Sequence, residues 1–268
     1  MSEISDPRAP VRVRHDTRMR LLTAVSVTDI TPRMRRVRFT GDLAGFASPG
    51  HADHIKAFFF PDGVEPRVVP IGERGAEFGP GERPEMRDYT PRYWDVAQGW
   101  IDLDFVLHGD GPASTWAARA TIGSKLVIGG PRGSLVVPAA FDWYLLAGDE
   151  TALPALGRRI EELPAGSKVL AVIEVADAAE EQQFETAADL SLTYVHRNGA
   201  PAGSTTLVLD AISSLTFPAG TAYAYIAGEV GMSQSVRAHL EEQHGFNSQY
   251  IKAAGYWRLG VADAREVH

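Results

Sequence analysis

"FDWYLLAGDETALPALGRRIEELPAG", Phe141 to Gly166, decides how this chain is read. An apolar run ends at Gly148, and a segment with apolar residues at helical spacing follows. The same order of strand, glycine and helix returns in "TAYAYIAGEVGMSQSVRAHLEEQHG", Thr221 to Gly245. Between the two, "SKVLAVIEVAD" (Ser167–Asp177) and "LSLTYVHRNG" (Leu190–Gly199) read as strands, and "SQYIKAAGYWRLG" (Ser248–Gly260) reads as a last one. Strands alternating with helices are the pattern of βαβ units around a parallel sheet.

Upstream the character differs. "RLLTAVSVTDI" (Arg20–Ile30), "MRRVRFTGD" (Met34–Asp42), "HIKAFFFPDG" (His54–Gly63), "WIDLDFVLHGDG" (Trp100–Gly111) and "SKLVIGGPRGS" (Ser124–Ser134) are short runs between turn signals. They predict an antiparallel barrel or sandwich. Ile101 to Phe105 alternate, which puts Asp102 and Asp104 on one face. One helix interrupts, "GPASTWAARATIG" (Gly111–Gly123), with Pro112 near its start and Gly123 as its stop. The change of pattern at "VVPAAFD", Pro138 to Asp142, divides the chain into domains 1–139 and 140–268.

Composition narrows the function. The net charge is -8, but residues 1–40 hold nine Arg and four acids, a local +5, so the remainder carries -8 - 5 = -13. Such an acidic body argues against non-specific nucleic-acid binding, and the early arginines are expected on exposed strand faces. The absence of cysteine excludes disulfides, thiolate metal sites and a cysteine nucleophile, and fits a cytoplasmic protein. No apolar run approaches the roughly 20 residues of a membrane span, and the N-terminus has no apolar core of a signal peptide. His51 with His54, and His239 with His244, lack a consistent third ligand for zinc. "GMSQS" lacks the closing glycine of a nucleophile elbow.

Two turns of the α/β half fall where open sheets bind ligands. The first holds Gly148, Asp149, Glu150 and Thr151, and the second Gly228, Glu229, Gly231 and Met232. Small residues admit a ligand to the backbone, and helix N-termini offer N–H groups to phosphate. Neither turn has the G-x-G-x-x-G pattern, and the acids in each repel phosphate, so plain architecture is the competing reading. In the β half, "HGDGPASTW" (His108–Trp116) opens a helix with glycines and with the hydroxyls of Ser114 and Thr115; it suits a phosphate or is a capped helix after a turn. Before it, "RDYT" (Arg87–Thr90) supplies a guanidinium for a pyrophosphate and a ring for a flat heterocycle.

Together, in this order, these motifs resemble the flavin reductases of the ferredoxin-reductase type, whose flavin motif R-x-Y-[ST] is matched by Arg87, Tyr89 and Thr90. The closer resemblance is to the siderophore-interacting proteins, NAD(P)H-dependent ferric-siderophore reductases. It is carried by "DHIKAFF", "RDYTPRYWD", "DFVLHGDGPASTWA", "GPRGS", "LAGDETALPA", "IAGEVG" and "YIKAAGYWRLG", in order over about 53–260. The resemblance implies a flavin-binding β-barrel followed by a Rossmann-like α/β domain that binds NAD(P)H. It implies that Arg87 contacts the FAD phosphates, that Tyr89 packs on the isoalloxazine or ribityl portion, and that Thr90 bonds near the ring. His108, Gly111, Pro112, Ala113 and Ser114 would hold the ring edge and pyrophosphate, with Trp116 supporting the adenine side or the local core. Gly148, Asp149, Glu150, Thr151, Gly228 and Glu229 would meet the nicotinamide nucleotide.

For the anionic ferric siderophore the resemblance implies a basic cluster: Lys56, Arg132, and Lys252 or Arg258. Lys is rare here, at residues 56, 125, 168 and 252 against 22 Arg. The extra Ala in "KAAGYWR", against the family's usual "KGYWR", shifts the register at Lys252. Arg197 is either a contact for a 2′-phosphate or a turn residue. The implied reaction passes hydride from NAD(P)H to FAD and single electrons to Fe(III), releasing Fe(II). It needs no catalytic side chain and no protein-bound metal. Reduced ferredoxin is an alternative donor. A general NAD(P)H:flavin or ferredoxin-type oxidoreductase and a non-catalytic siderophore-binding protein are the competing functions.

Overall fold

The computed structural model describes residues 6–72, 75–109 and 111–261. The chain divides into two compact units, Pro10–Val136 and Val137–His268, the second joined by Met1–Ala9.

The first unit contains β1 (Val11–Arg14), β2 (Met19–Thr31), β3 (Met34–Thr40), β4 (Ile55–Phe59), β5 (Ile71–Gly72), β6 (Gly75–Ala76), β7 (Glu85–Tyr89), β8 (Pro91–Asp95), β9 (Trp100–Val106), α1 (Pro112–Arg119), β10 (Lys125–Gly129) and β11 (Gly133–Val136). Seven strands form one antiparallel sheet in the order β7-β4-β10-β2-β3-β9-β8. Its edge strands, β7 and β8, are consecutive and joined by Thr90 alone. In a flat sheet these edges would stand about 29 Å apart at ~4.8 Å per strand. One residue spans nothing like that, so the sheet curls toward a barrel. Val37, Phe39, Ile55, Ala57, Phe59, Ile101, Leu103 and Phe105 alternate into its core. From α1, Trp116 stacks on Phe39 at 5.9 Å and 24° and meets Phe59 and Phe105 at 6.0 and 5.5 Å.

Some of the early arginines do not sit on a solvated face. Arg36 and Arg38 of β3 lie across the ladder from Asp104 and Asp102 of β9, and each makes a bidentate pair at 2.6–2.8 Å. Both aspartates are buried. The alternation at 101–105 thus builds a cross-strand charge ladder on the outer face of the sheet. Arg20 is buried too, and donates to the carbonyls of Arg18, Ala44 and Gly130.

The second unit contains β12 (Trp143–Asp149), α2 (Leu153–Glu162), β13 (Lys168–Val175), β14 (Asp189–His196), α3 (Leu207–Ser213), β15 (Ala222–Glu229), α4 (Val230–His244) and β16 (Ile251–Trp257). The five strands are parallel in the order β14-β13-β12-β15-β16. Every residue of β12 and β15 is buried, as in the centre of a sheet covered on both faces, whereas β14 alternates exposed and half-buried residues as an edge does. The chain leaves β12 toward β13 on one side and returns to β15 on the other. That reversal is the switch point where open α/β sheets bind ligands.

The sequence reading assigned residues 1–139 to the first domain. The first residues belong elsewhere: Tyr250 donates to Asp6 at 2.5 Å and Arg8 Nε to the Ala140 carbonyl at 3.1 Å, both within the second unit. In β16 a bulge at Tyr256 places Gly255 opposite Gly228 and Trp257 opposite Glu229. Among the described residues no helix is long and apolar enough to cross a membrane.

Candidate functional site

On β7, Arg87 and Tyr89 face Ala57 and Ile55 across the ladder, so both point to the inner side of the sheet. The Tyr89 ring lies 4.5 Å from Phe105 and 6.4 Å from Phe59, and burial pushes its hydroxyl pKa well up, with Arg87 opposing. Arg87 donates to the Met86 carbonyl at 2.9 Å and to Glu85 at 3.2 Å. Thr90 is the buried link between the edge strands.

Helix α1 begins with Gly111 as N-cap, in extended conformation, and Pro112 at its first position. Among the described residues no side chain caps this end and no acid stands in its first turn. The dipole and the first amides are therefore available to an anion. A Cβ on Gly111 would meet nothing within 4 Å, so the approach is open. Ser114 is buried and its Oγ accepts from the backbone N–H of His108 at 2.8 Å, which fastens the loop leading in. His108 itself is exposed, and Asp110 lies outside the described residues. An uncapped, acid-free helix start, a half-buried guanidinium and a half-buried ring on an aromatic floor fit a flavin carrying a diphosphate. Of the two roles left open for Trp116, its contacts are those of the core.

The turns of the second unit come together, but chiefly with one another. Asp149 ends β12 and is buried. Its Oδ1 accepts from Thr151 N at 2.9 Å and Thr151 Oγ1 at 2.5 Å; its Oδ2 accepts from Glu229 N at 2.8 Å and Trp257 Nε1 at 2.9 Å. Burial pushes its pKa up to about 6, helped by Glu150 and opposed by the bonds from Thr151 and Trp257. Glu229 caps α4, accepting from Met232 N at 3.0 Å and from Leu259 N at 3.2 Å. Gly148 and Gly228 serve packing rather than ligand approach. A Cβ on Gly148 would lie 2.3 Å from the Ala227 carbonyl oxygen; on Gly228, at φ 137°, it would lie 2.5 Å from Asp149 Oδ2.

Of the two roles left open for Arg197, the backbone takes that of a turn residue: its carbonyl accepts from Ala200 N at 3.0 Å, and its side chain faces carboxylates. It is buried, clamped by Glu150 at 2.6 Å to each oxygen, and donates to Glu174 at 3.3 Å. Burial lowers its pKa, and the two carboxylates more than offset this, so the net shift is upward. Glu174 also accepts from Thr205. A small pocket here is lined by Asp149, Glu174, Gly203, Thr205, Glu229 and Met232. It has room for about one water, three carboxylates stand on its wall, and the start of α4 is already capped by Glu229. Sequence reasoning missed Glu174 and Trp257. The available signals were an acid near the end of an apolar strand and an aromatic residue at the carboxyl end of the last one.

The basic candidates fall in both units. Lys56 is exposed between Ile55 and Ala57, both fully buried, and its Nζ donates to Asp88 at 2.7 and 3.1 Å. Gly129 of β10 is its neighbour across the other ladder. Arg132 is exposed three residues on, in the segment entered through the cis Gly130–Pro131 bond. In the second unit Lys252 is half-buried beside Tyr225, and Arg258 is exposed just past β16.

The family model described as siderophore-interacting FAD-binding domain matches residues 23–135, and that described as siderophore-interacting protein matches 141–260. The chain is 35% identical to the NADPH-dependent ferric-chelate reductase of Escherichia coli, over 94% of this chain and 97% of the relative. It is 32% identical to a ferric vibriobactin reductase of Vibrio cholerae, over 90% of each. Among solved structures it is similar to a siderophore utilization protein from T. fusca, at TM-score 0.88 and 38% identity over 96% of this chain and 98% of that one. It is also similar to the siderophore-interacting protein of Aeromonas hydrophila, at TM-score 0.77 and 28% identity over 92% and 94%. The chain therefore belongs to the siderophore-interacting protein family.

Proposed function

We propose that this protein is an FAD-dependent ferric-siderophore reductase that draws its electrons from NAD(P)H. The observation that carries this reading is the uncapped start of α1, in the half of the chain matched by the FAD-binding family model. When bound, FAD supplies the redox chemistry, taking hydride from the nicotinamide and giving single electrons to the chelated Fe(III). The protein's own part is to bind, orient and shield.

The amides at the start of α1 and the guanidinium of Arg87 hold the diphosphate. Tyr89 offers a ring whose orientation is fixed by Phe105 and Phe59, and whose raised pKa keeps it a neutral donor. Thr90, His108 and the 111–114 turn complete the flavin contacts. In the second unit, Asp149, Glu150, Thr151, Glu229 and the glycines at 148 and 228 shape the switch point. There the carboxylate rim receives hydroxyl and amide donors of the nicotinamide nucleotide. Lys56 and Arg132 meet the ferric chelate. For Lys252 and Arg258 the resemblance alone supports such a contact. We assign the activity to the cytoplasm, where reduced nicotinamides are made, and keep reduced ferredoxin as an alternative donor.

The test is Fe(II) formation by FAD-reconstituted protein, read with a ferrous-specific chelating dye under argon. Dye formation that requires both the reductant and a ferric siderophore is expected. Reduction of free flavins or of a small redox protein, with none of ferric siderophores, would leave a general oxidoreductase. Binding of the chelate by a protein that holds no flavin would leave a carrier.

A further inference from the structure

The residue between Arg87 and Tyr89 in "RDYT" is left open by the flavin motif, and here it is Asp88. Strand alternation turns it to the face opposite its two neighbours. There it lies directly across the β4–β7 ladder from Lys56, and both carboxylate oxygens accept from Nζ, at 2.7 and 3.1 Å. The pair is solvent-facing, with the side chains 45% and 37% exposed. Arg87 and its partner Glu85 lie on the other face, so the local pair is Lys56 and Asp88, whose charges sum to zero. A chelate drawn to Lys56 therefore meets a carboxylate at the same spot.

Ferric siderophores differ widely in charge. A tris-catecholate complex is triply anionic, whereas common hydroxamate complexes are neutral or weakly cationic. We propose that Asp88 sets the substrate charge class of this reductase, favouring ferric hydroxamates of low net charge over triply anionic tris-catecholates. Asp88 acts through Lys56, as a specificity-determining residue and not a catalytic one. The inference rests on the reading of Lys56 as facing the chelate.

The probes are the ferric complexes of desferrioxamine B and of a tripodal tris-catecholamide, with FAD-loaded enzyme and NADH or NADPH. The wild type is expected to show the higher kcat/KM on the hydroxamate. Asp88→Asn should shift the ratio of the two kcat/KM values toward the catecholate by roughly tenfold at low ionic strength, through KM, as Coulomb's law gives for three charges near an unmasked ammonium. The shift should shrink as salt rises. Equilibrium binding to the oxidised enzyme, followed by quenching of protein fluorescence, should move in parallel. In a Lys56→Gln background, Asp88→Asn should lose most of its effect, the mark of a coupled pair.

An unchanged ratio in Asp88→Asn, or a wild type that prefers the tris-catecholate, would overturn the proposal. Should neither complex be reduced by an enzyme whose flavin NAD(P)H does reduce, the chelate-facing reading of Lys56 fails, and the proposal with it.

Discussion

Two helix starts in this protein are opposites. The first, at α1, has a glycine N-cap and, among the described residues, no side-chain cap, no acid in its first turn and nothing within 4 Å of a Cβ on that glycine. The second, at α4, is capped by its own Glu229, and Gly228 before it is pressed against Asp149. Both stretches are glycine-bearing turns leading into a helix. One leaves its partial positive charge free for an anion; the other spends it on an internal carboxylate. Glycine in such a turn therefore has no single meaning. It opens a surface in one unit and closes a packed junction in the other, and only the neighbours decide.

The contrast can be broken first at the closed junction. Gly148→Ala drives a Cβ to 2.3 Å from a backbone oxygen of the adjacent strand and 2.9 Å from Ala152. Relief requires a shift of β12 against β15, so a loss of about 3 kcal/mol is expected in chemical unfolding. Gly111→Ala, whose Cβ meets open space in ordinary extended backbone, should change stability by less than about 0.5 kcal/mol.

The open start is tested by making it resemble the closed one. Gly111→Asp puts a good N-cap residue where backbone and space permit it, so the apoprotein should hold or gain thermal stability. The same carboxylate repels the diphosphate, and FAD affinity should fall by about 30-fold, near 2 kcal/mol. Fluorescence titration of FAD checks this. Arg87→Ala should weaken FAD binding by about tenfold without the gain in helix stability. Full flavin occupancy in either variant would remove the phosphate role from α1 or from Arg87.

At the other start, Glu229→Ala removes the acceptor for Met232 N and Leu259 N and should cost about 1–2 kcal/mol. The smallest expected effect is a pH dependence. Asp149 holds its proton up to about 6 when folded, against 3.8 as its ordinary value. Between these values the folded state binds the extra proton, so this group's stabilisation is full below the lower value and is lost as pH rises through the upper one. Comparing urea midpoints at pH 4.5 and 7 for wild type and Asp149→Asn should show this component in the wild type only. The variant should also be less stable throughout, since an amide NH2 then faces donors.

Much of this was legible in the sequence. The alternation of strand and helix after residue 140, the strands before it, and the helix at "GPASTW" follow from periodicity and turn chemistry, which are local. The cofactor motifs were recognisable because their residues are close in sequence. What escaped is non-local. Asp149 meets Trp257 at a separation of 108 residues, and Glu150 meets Arg197 at 47. Neither pairing has a periodic signature. The single-residue link at Thr90, which forces the sheet to curl, emerged only when the strand order was known. The glycines of the α/β turns were read either as openings to a ligand or as plain architecture, and Gly148 and Gly228 are packing contacts.

The most direct test is the visible spectrum of the FAD-loaded protein under argon, first with NADH or NADPH and then with a ferric siderophore. The expected result is loss of the oxidised flavin bands with reductant and their return on adding the chelate, with Fe(II) appearing in step. A flavin that bleaches and stays bleached, or a protein that cannot be loaded with FAD, would contradict the account.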